Sequence, residues 1–301
     1  MGKKLKRKCP LRNALSLTVF STILLLFPVP RAGAMTASGK LLLTGGVTEI
    51  EGAAGGGLTP WAVIGGYGTR DEVGANAAST LVSTADYSLE AASLKVGLFD
   101  RVELSIARQT FNTRDIGAAL GLGTDFRLKQ NVYGAKVKVF GDAVLEQDSW
   151  LPQIAVGAQY KKNEQGDVVR SVGATNDNGT DLYVSATKII LEQSILWNAT
   201  LRATKANQLG ILGFGGDKND SYSPMLEGSL AYLACSTIAF GGEYRMKPDN
   251  LKIAKEENWS DLFLAWAPTK NISLTAAYVM LGNIVLREKQ QGGYASLQLG
   301  F

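Results

Sequence analysis

The 301-residue sequence contains no histidine and only two cysteines, Cys9 and Cys235. The missing histidine excludes Ser-His-Asp and Cys-His nucleophiles, His-ligated zinc and the commonest general base. No Asp/Glu pair stands out as a carboxylate dyad, so an enzyme is not expected and no catalytic residue or cofactor is assigned. No stretch after Ala34 is apolar and long enough to span a bilayer as a helix.

What is present begins with a targeting signal. Lys3, Lys4, Lys6, Arg7, Lys8 and Arg12 precede an apolar run from Ala14 to Val29, and Ala32-Gly33-Ala34 offers small residues for cleavage. Residues 1–34 therefore read as a secretory signal peptide, removed after Ala34. Its removal would take Cys9 with it and leave Cys235 alone, which rules out an intrachain disulfide or a cysteine metal cluster. Seven of the 31 Lys and Arg residues lie in this segment and none of the 27 Asp and Glu residues do, so the mature chain carries 24 against 27, a net charge of −3. That balance gives no support to a nucleic-acid partner.

A secreted chain of this size without disulfides is a periplasmic domain or a β-barrel, and periodicity decides between them. Phe301, Leu299, Leu297 and Ala295 share one face of the terminal strand, while Gly300, Gln298, Ser296 and Tyr294 share the other. Ile238 to Met246 and Ile195 to Ala203 alternate in the same way. Similar segments begin near Ala91, Val102, Val132, Leu151, Asp181, Met225, Trp259 and Ile272, with a glycine-rich one from Trp61 to Gly68. The total is about twelve, an even number, as bacterial barrels require. The expected fold is all-β: a transmembrane antiparallel up-and-down barrel over residues 60–301.

The connections alternate in length. Leu281 to Gln291, Lys247 to Asn258, Ala206 to Tyr222, Lys162 to Asn178, Asn112 to Gln130 and Thr69 to Glu90 read as long. Ala267 to Lys270, Cys235-Ser236, Leu191 to Gln193, Gly141 to Asp148 and Asp100-Arg101 read as short. Short periplasmic turns and longer extracellular loops explain this, and they place the protein in the outer membrane with both termini periplasmic. Trp197, Tyr232, Trp266 and Phe301 then form one outward aromatic girdle, and Tyr133, Tyr160, Tyr244 and Tyr278 the other. Arg108 shares the outward parity of Leu104 and Ile106 and is expected at headgroup level, and Lys188 at the opposite interface.

Residues 35–59, which include the glycine-rich GAAGGGLTP, do not read as wall. They are either a plug folded back into the lumen or a loose periplasmic tail. They are not a phosphate loop, because the Gly-Lys-Ser/Thr ending is missing. Two oxygen-rich clusters, Asp177, Asn178 and Asp181, and Asp217, Asn219 and Asp220, read as turns and not as metal ligands. The inward charges are Lys95, Glu103, Lys136, Lys138, Lys161, Arg202, Glu227, Glu243, Arg245 and Lys247, a mildly basic set that would favour anions if water fills the lumen.

The stretches TGGVTEIEGAAGGGLTPWAVIGGYGTR, VGLFDRVELSIARQTF, QDSWLPQIAVGAQYKKN, NATLRATKANQLGILGFGGDKNDSY, EYRMKPDNL and AYVMLGNI resemble an uncharacterised family of proteobacterial outer-membrane proteins, known only as a domain of unknown function. The resemblance runs from about Gly39 to Phe301. It implies a barrel and carries no catalytic residue across. Three functions follow: a porin-like channel for passive or selective diffusion of small solutes, a plugged transporter for a hydrophobic small molecule, or a non-transporting envelope scaffold. The expected partners are outer-membrane lipid, lipopolysaccharide and the barrel-assembly machinery. Leu209, Ile211, Leu212 and Phe214, apolar residues in a loop, point to loops that fold over the mouth.

Overall fold

The structure is a computed structural model that describes residues 40–253 and 255–301. The signal peptide expected at residues 1–34 lies outside the described residues, as does the beginning of the 35–59 segment. Two short strands, β1 (Val47–Thr48) and β2 (Ala54–Gly55), precede twelve wall strands. These are β3 (Val73–Thr84), β4 (Ser88–Leu98), β5 (Val102–Asn112), β6 (Arg127–Phe140), β7 (Gln153–Asn163), β8 (Asn178–Ile190), β9 (Ile195–Thr204), β10 (Ser223–Cys235), β11 (Ile238–Arg245), β12 (Trp259–Trp266), β13 (Ile272–Ile284) and β14 (Arg287–Gly300). The twelve pair in sequence order, every pair antiparallel, and β14 closes on β3 from Gly300 opposite Asn76 to Gly292 opposite Thr84. The result is a closed up-and-down barrel with no free edge.

Strand β5 shows how the sequence builds this wall. Glu103, Ser105, Ala107, Gln109 and Phe111 are buried, while Leu104, Ile106 and Arg108 are exposed. This inverts the pattern of a water-soluble sandwich, and the outer surface is a belt of Leu81, Leu94, Val96, Leu262, Leu264, Leu297 and similar residues that acyl chains would cover. The outward aromatics lie on this belt: Tyr133, Tyr160, Tyr244, Trp266, Tyr278 and Phe301 are exposed, and Trp197 and Tyr232 are half-exposed. Tyr133 and Tyr160, directly opposite in register, stack at 6.4 Å.

The strand count agrees with expectation, but one member is different. Residues 61–68 are not wall; the first wall strand is β3, inside the segment expected to be a long loop from Thr69 to Glu90. The sequence VGANAASTLVST hides this strand because small residues (Ala75, Ala77, Ser79) face out and Asn76, Thr80 and Thr84 face in, so hydropathy barely alternates. Leu281 to Gln291 is also mostly strand, since β13 and β14 continue to a turn at residues 285–286. Strict alternation of long and short links therefore fails at the first and last hairpins, and again at the opposite end, where the short link expected from Gly141 to Asp148 runs over 141–152. Residues 113–126, 164–177, 205–222 and 246–258 are long links, all at one end, hereafter the loop end. They carry two helical turns, α1 (Arg114–Ala119) and α2 (Gly166–Ser171). At the opposite end Phe301 receives hydrogen bonds from the backbone N–H groups of Tyr67 and Ala75.

The long links fold over the barrel mouth. Ile116, Val169, Leu209, Ile211, Leu212 and Leu251 join wall residues such as Tyr87, Phe111 and Trp259 in one buried apolar cluster. Lys188 departs from its expected place at a lipid interface. Its ammonium donates to the carbonyls of Glu146 and Leu151, and the 141–152 link covers it, because a buried cation is held by fixed acceptors where headgroups would otherwise be needed.

Candidate functional site

The lumen is filled by residues 40–68. This span runs past the expected boundary at residue 59 and takes in the segment expected to be the first strand. β1 pairs with β2 within it, which returns the chain on itself through a tight bend. Close approach to the wall requires glycine in two places. A Cβ on Gly56 would lie 1.9 Å from Glu243 Oε1, and one on Gly97 of β4 would lie 2.1 Å from the carbonyl oxygen of Gly65.

Polar contacts hold this plug to most of the barrel's circumference. Lys95 donates to the Val47 carbonyl at 3.1 Å and to Thr48 Oγ1 at 2.7 Å. Lys136 donates to the carbonyls of Ala54 and Trp61 and pairs with Glu103 at 3.1 Å, and Glu103 accepts the backbone N–H groups of Ala54 and Gly65. Glu243 accepts Leu58 N–H at 2.8 Å and Thr59 Oγ1 at 2.6 Å, while Trp61 Nε1 donates to Ser229 Oγ. The Pro60 carbonyl accepts from Ser185, Asn198 and Thr200. Proline's carbonyl is its only backbone hydrogen-bonding group, and here two adjacent strands, β8 and β9, serve it.

The centre of the lumen is a charge cluster around Glu51. Its carboxylate accepts from Lys161 and, at 2.7 Å, from Arg245, and Arg202 lies at 3.6 Å. Asp181 pairs with Lys161 at 2.6 Å and Arg202 at 3.3 Å, and Glu227 pairs with both arginines. All of these side chains are buried. Nearer the loop end Lys247 pairs with Glu256 at 2.9 Å within its own long link and donates to Gln208 of another, tying the two links to each other. At the other rim Asp100 bridges Lys138 and Lys40.

The sequence reading missed two inward carboxylates, Asp181 and Asp261, and both carboxylates of the plug. Asp181 had been placed with a turn, but β8 begins at Asn178, and its parity with Tyr183 and Ser185 turns it inward. The alternation of β8 could have shown this. Asp261 sits opposite Glu243 across the β11–β12 pair and accepts its backbone N–H. Counting these, the basic excess read from the sequence disappears. Asp177 is taken up by Arg170 and Asn178, and among the described residues no group of three Cys, Asp or Glu side chains gathers as a metal site.

Glu49 is the least settled member of the plug. Gln159 donates to its Oε1 at 2.6 Å, its Oε2 has no hydrogen-bond partner, and Arg245 stays 4.0 Å away. Burial, and then the neighbouring charge of Glu51, push its pKa up to about 7, against the pull of Arg202 and Arg245. Burial also opposes ionisation of Glu51, but Arg245, Lys161 and Arg202 together hold it well below the ordinary carboxylate range. The docked plug thus holds Glu49's proton more tightly than a plug in water would. Glu49's contribution to docking is full below the ordinary Glu value and is lost as pH rises from there through about 7. Glu51 works the other way, but only in stronger acid. In planar bilayers the open probability is expected to be higher at about pH 8 than at about pH 5. Glu49→Gln should flatten that difference, and an unchanged profile would clear Glu49 of the role.

Several solved structures share the architecture. A structure described as "KdgM porin" matches at 9% identity, covering 76% of this chain and 99% of that one, with a TM-score of 0.48. The COG4313 outer membrane channel from Pseudomonas putida F1 matches at 10% identity, covering 80% and 96%, with a TM-score of 0.47. Outer membrane phospholipase A from Escherichia coli matches at 10% identity, covering 78% and 94%, with a TM-score of 0.41. At such identities, and with TM-scores below 0.5, these likenesses carry no argument about function. No curated protein matches the chain. A family model does, over residues 44–298, a span that takes in the plug and almost the whole wall, and the chain belongs to that family, the proteins of unknown function DUF3034.

Proposed function

We propose that this chain is an outer-membrane channel for small solutes, closed in this conformation by its own N-terminal segment. The apolar outer belt and the outward aromatics support the membrane, and the long links at one end support a loop end that is extracellular and termini that are periplasmic. The absence of histidine, together with a lumen in which Glu51, Glu103, Asp181, Glu227 and Glu243 are taken up by cations or by groups of the plug, supports transport over catalysis.

One observation carries the reading: at the centre of the lumen the plug meets the wall through hydrogen bonds and ion pairs, with smaller apolar patches around Leu43, Val47, Ile50, Leu58, Trp61 and Val63. Water can replace such contacts one for one, so undocking costs far less than separating an apolar core of the same area. A wall needing only mechanical filling would be served better by leucine and valine.

Thr59 Oγ1 lies 2.6 Å from Ser229 Oγ, close enough for a disulfide to replace the pair. In a Cys235→Ser background, Thr59→Cys with Ser229→Cys should show openings when reduced and none when oxidised. Identical activity in both states would mean that the plug does not gate the pore.

A second reading, transport of a hydrophobic molecule, is favoured by an apolar chamber at the loop end. Ile50 and Leu58 of the plug form its floor, and Tyr87, Phe111, Trp259 and Leu281 line it. Its volume is about 30 Å³, room for a water or two, so a ligand would have to part the plug from the loops.

A further inference from the structure

The outer wall at the loop end carries a group of cations that no other part of the rim reproduces. Arg127 and Lys129 of β6 and Lys162 of β7 share the outward parity of Tyr133 and Tyr160. Lys162 lies opposite Asn131, Asn131 opposite Arg108, and Lys129 opposite Thr110. The group thus spans three adjacent strands. The stacked tyrosines lie below it toward mid-barrel, with Ile106 beside them in register. Two residues advance a strand by about 6.7 Å, less after tilt, so the cations occupy the layer just above the aromatic girdle, where headgroup phosphates lie.

Several other cations on this rim have carboxylate partners. Elsewhere on this rim Lys205 is paired with Asp220, Lys218 with Asp249, Arg170 with Asp167 and Asp177, and Arg287 with Asp86. Within the group, Arg108 is bridged by Glu164 at 2.9 Å and donates to Asn131. Among the described residues, no carboxylate pairs with Arg127, Lys129 or Lys162. Glu90, outward on β4, is opposite Thr110 and so two strands from Lys129, about 10 Å away. Exposed cations beside water repel one another, and leaving three together above a greasy belt is unfavourable unless an anion completes them.

We infer that this face binds the phosphate groups of a phosphorylated glycolipid of the outer leaflet, with Arg127, Lys129 and Lys162 contacting phosphate and Tyr133 and Tyr160 packing on the acyl-chain side. The inference rests on the proposed orientation, in which the loop end meets the outer leaflet. A basic side chain near an anionic membrane surface strengthens binding about fivefold, so losing three should weaken it on the order of a hundredfold.

The test uses the full-length protein in detergent with bisphosphorylated lipid A as the probe, and native mass spectrometry reads the bound fraction. The wild type should retain the lipid, and the triple variant Arg127→Gln, Lys129→Gln, Lys162→Gln should lose it while keeping heat-modifiable migration on gels. Dephosphorylated lipid A should bind neither. Equal retention by the triple variant, or by the phosphate-free lipid, would overturn the assignment. So would equal loss in a variant with Lys252→Gln and Lys289→Gln, cations of the loop end away from the face, since that would mean a diffuse charge effect. Displacement by inorganic phosphate at equal concentration would also overturn it, by pointing to a free-anion site. Binding in detergent does not depend on orientation. Labelling of Asp167→Cys in intact cells, in the Cys235→Ser background, reports orientation separately.

Discussion

With residues 40–65 removed, the barrel is expected to pass a steady current in planar bilayers where the intact protein opens only briefly. The wall does not need the plug to close, because each of its twelve strands pairs with two neighbours through the backbone. Many of the side chains left facing the lumen are charged or polar and would hydrate, among apolar ones such as Val82, Val132 and Phe263. The selectivity of that pore is the sharper part of the prediction. Lys95, Lys136, Lys161, Arg202 and Arg245 would face Glu103, Asp181, Glu227, Glu243 and Asp261, while Lys138 and Lys247 keep their pairing with Asp100 and Glu256. This balanced lumen should discriminate weakly between anions and cations, in contrast to the anion preference that the sequence suggested. Lys136→Glu with Arg245→Glu should then turn the deletion protein toward cations. A deletion protein that folds, by its heat-modifiable migration, yet passes no current would remove the channel reading.

Glu51→Ala should open the intact protein. Glu51 faces three buried cations, and deleting one partner of a buried charge cluster costs about 3–5 kcal/mol, because those three cations are then left to Asp181 and Glu227. In an ordinary core that cost appears as unfolding. Here a second route exists, since the plug can leave and water can solvate Lys161, Arg202 and Arg245. A cost of about 3 kcal/mol spent on undocking raises the open-to-closed ratio on the order of a hundredfold. Adding Lys161→Met removes one stranded charge and should recover part of the closure. If Glu51→Ala lowers the thermal stability of the barrel and leaves conductance unchanged, the plug is a permanent core.

Much of the wall was legible because lipid imposes a rule on sequence. A strand with acyl chains on one side and polar groups on the other must alternate, and β5, β9 and β14 do so over ten residues or more. The rule weakens where small residues meet lipid. β3 escaped notice because Ala75, Ala77 and Ser79 carry little hydropathy, and Trp61 to Gly68 took its place because an apolar run in a lumen looks like one in a wall. The charged residues of the lumen were found by parity alone. Asp181 was lost when a run of Asp and Asn read as a turn, and Asp261 was left out although its neighbours on β12 alternate.

The plug marks the boundary between the two kinds of information. The sequence by itself determined a histidine-free chain with a lipid-facing barrel wall, its strand number and its inward cations, since each follows from local composition or a period of two. Only the tertiary structure decided that Glu49 and Glu51 complete those cations, that Gly56 lets the chain touch Glu243, and that the loops close the mouth. Those contacts join residues 50 to 190 positions apart through space. No periodicity records them, because an inward carboxylate and its cation partner obey the same alternation whether water, a solute or the chain's own backbone lies between them.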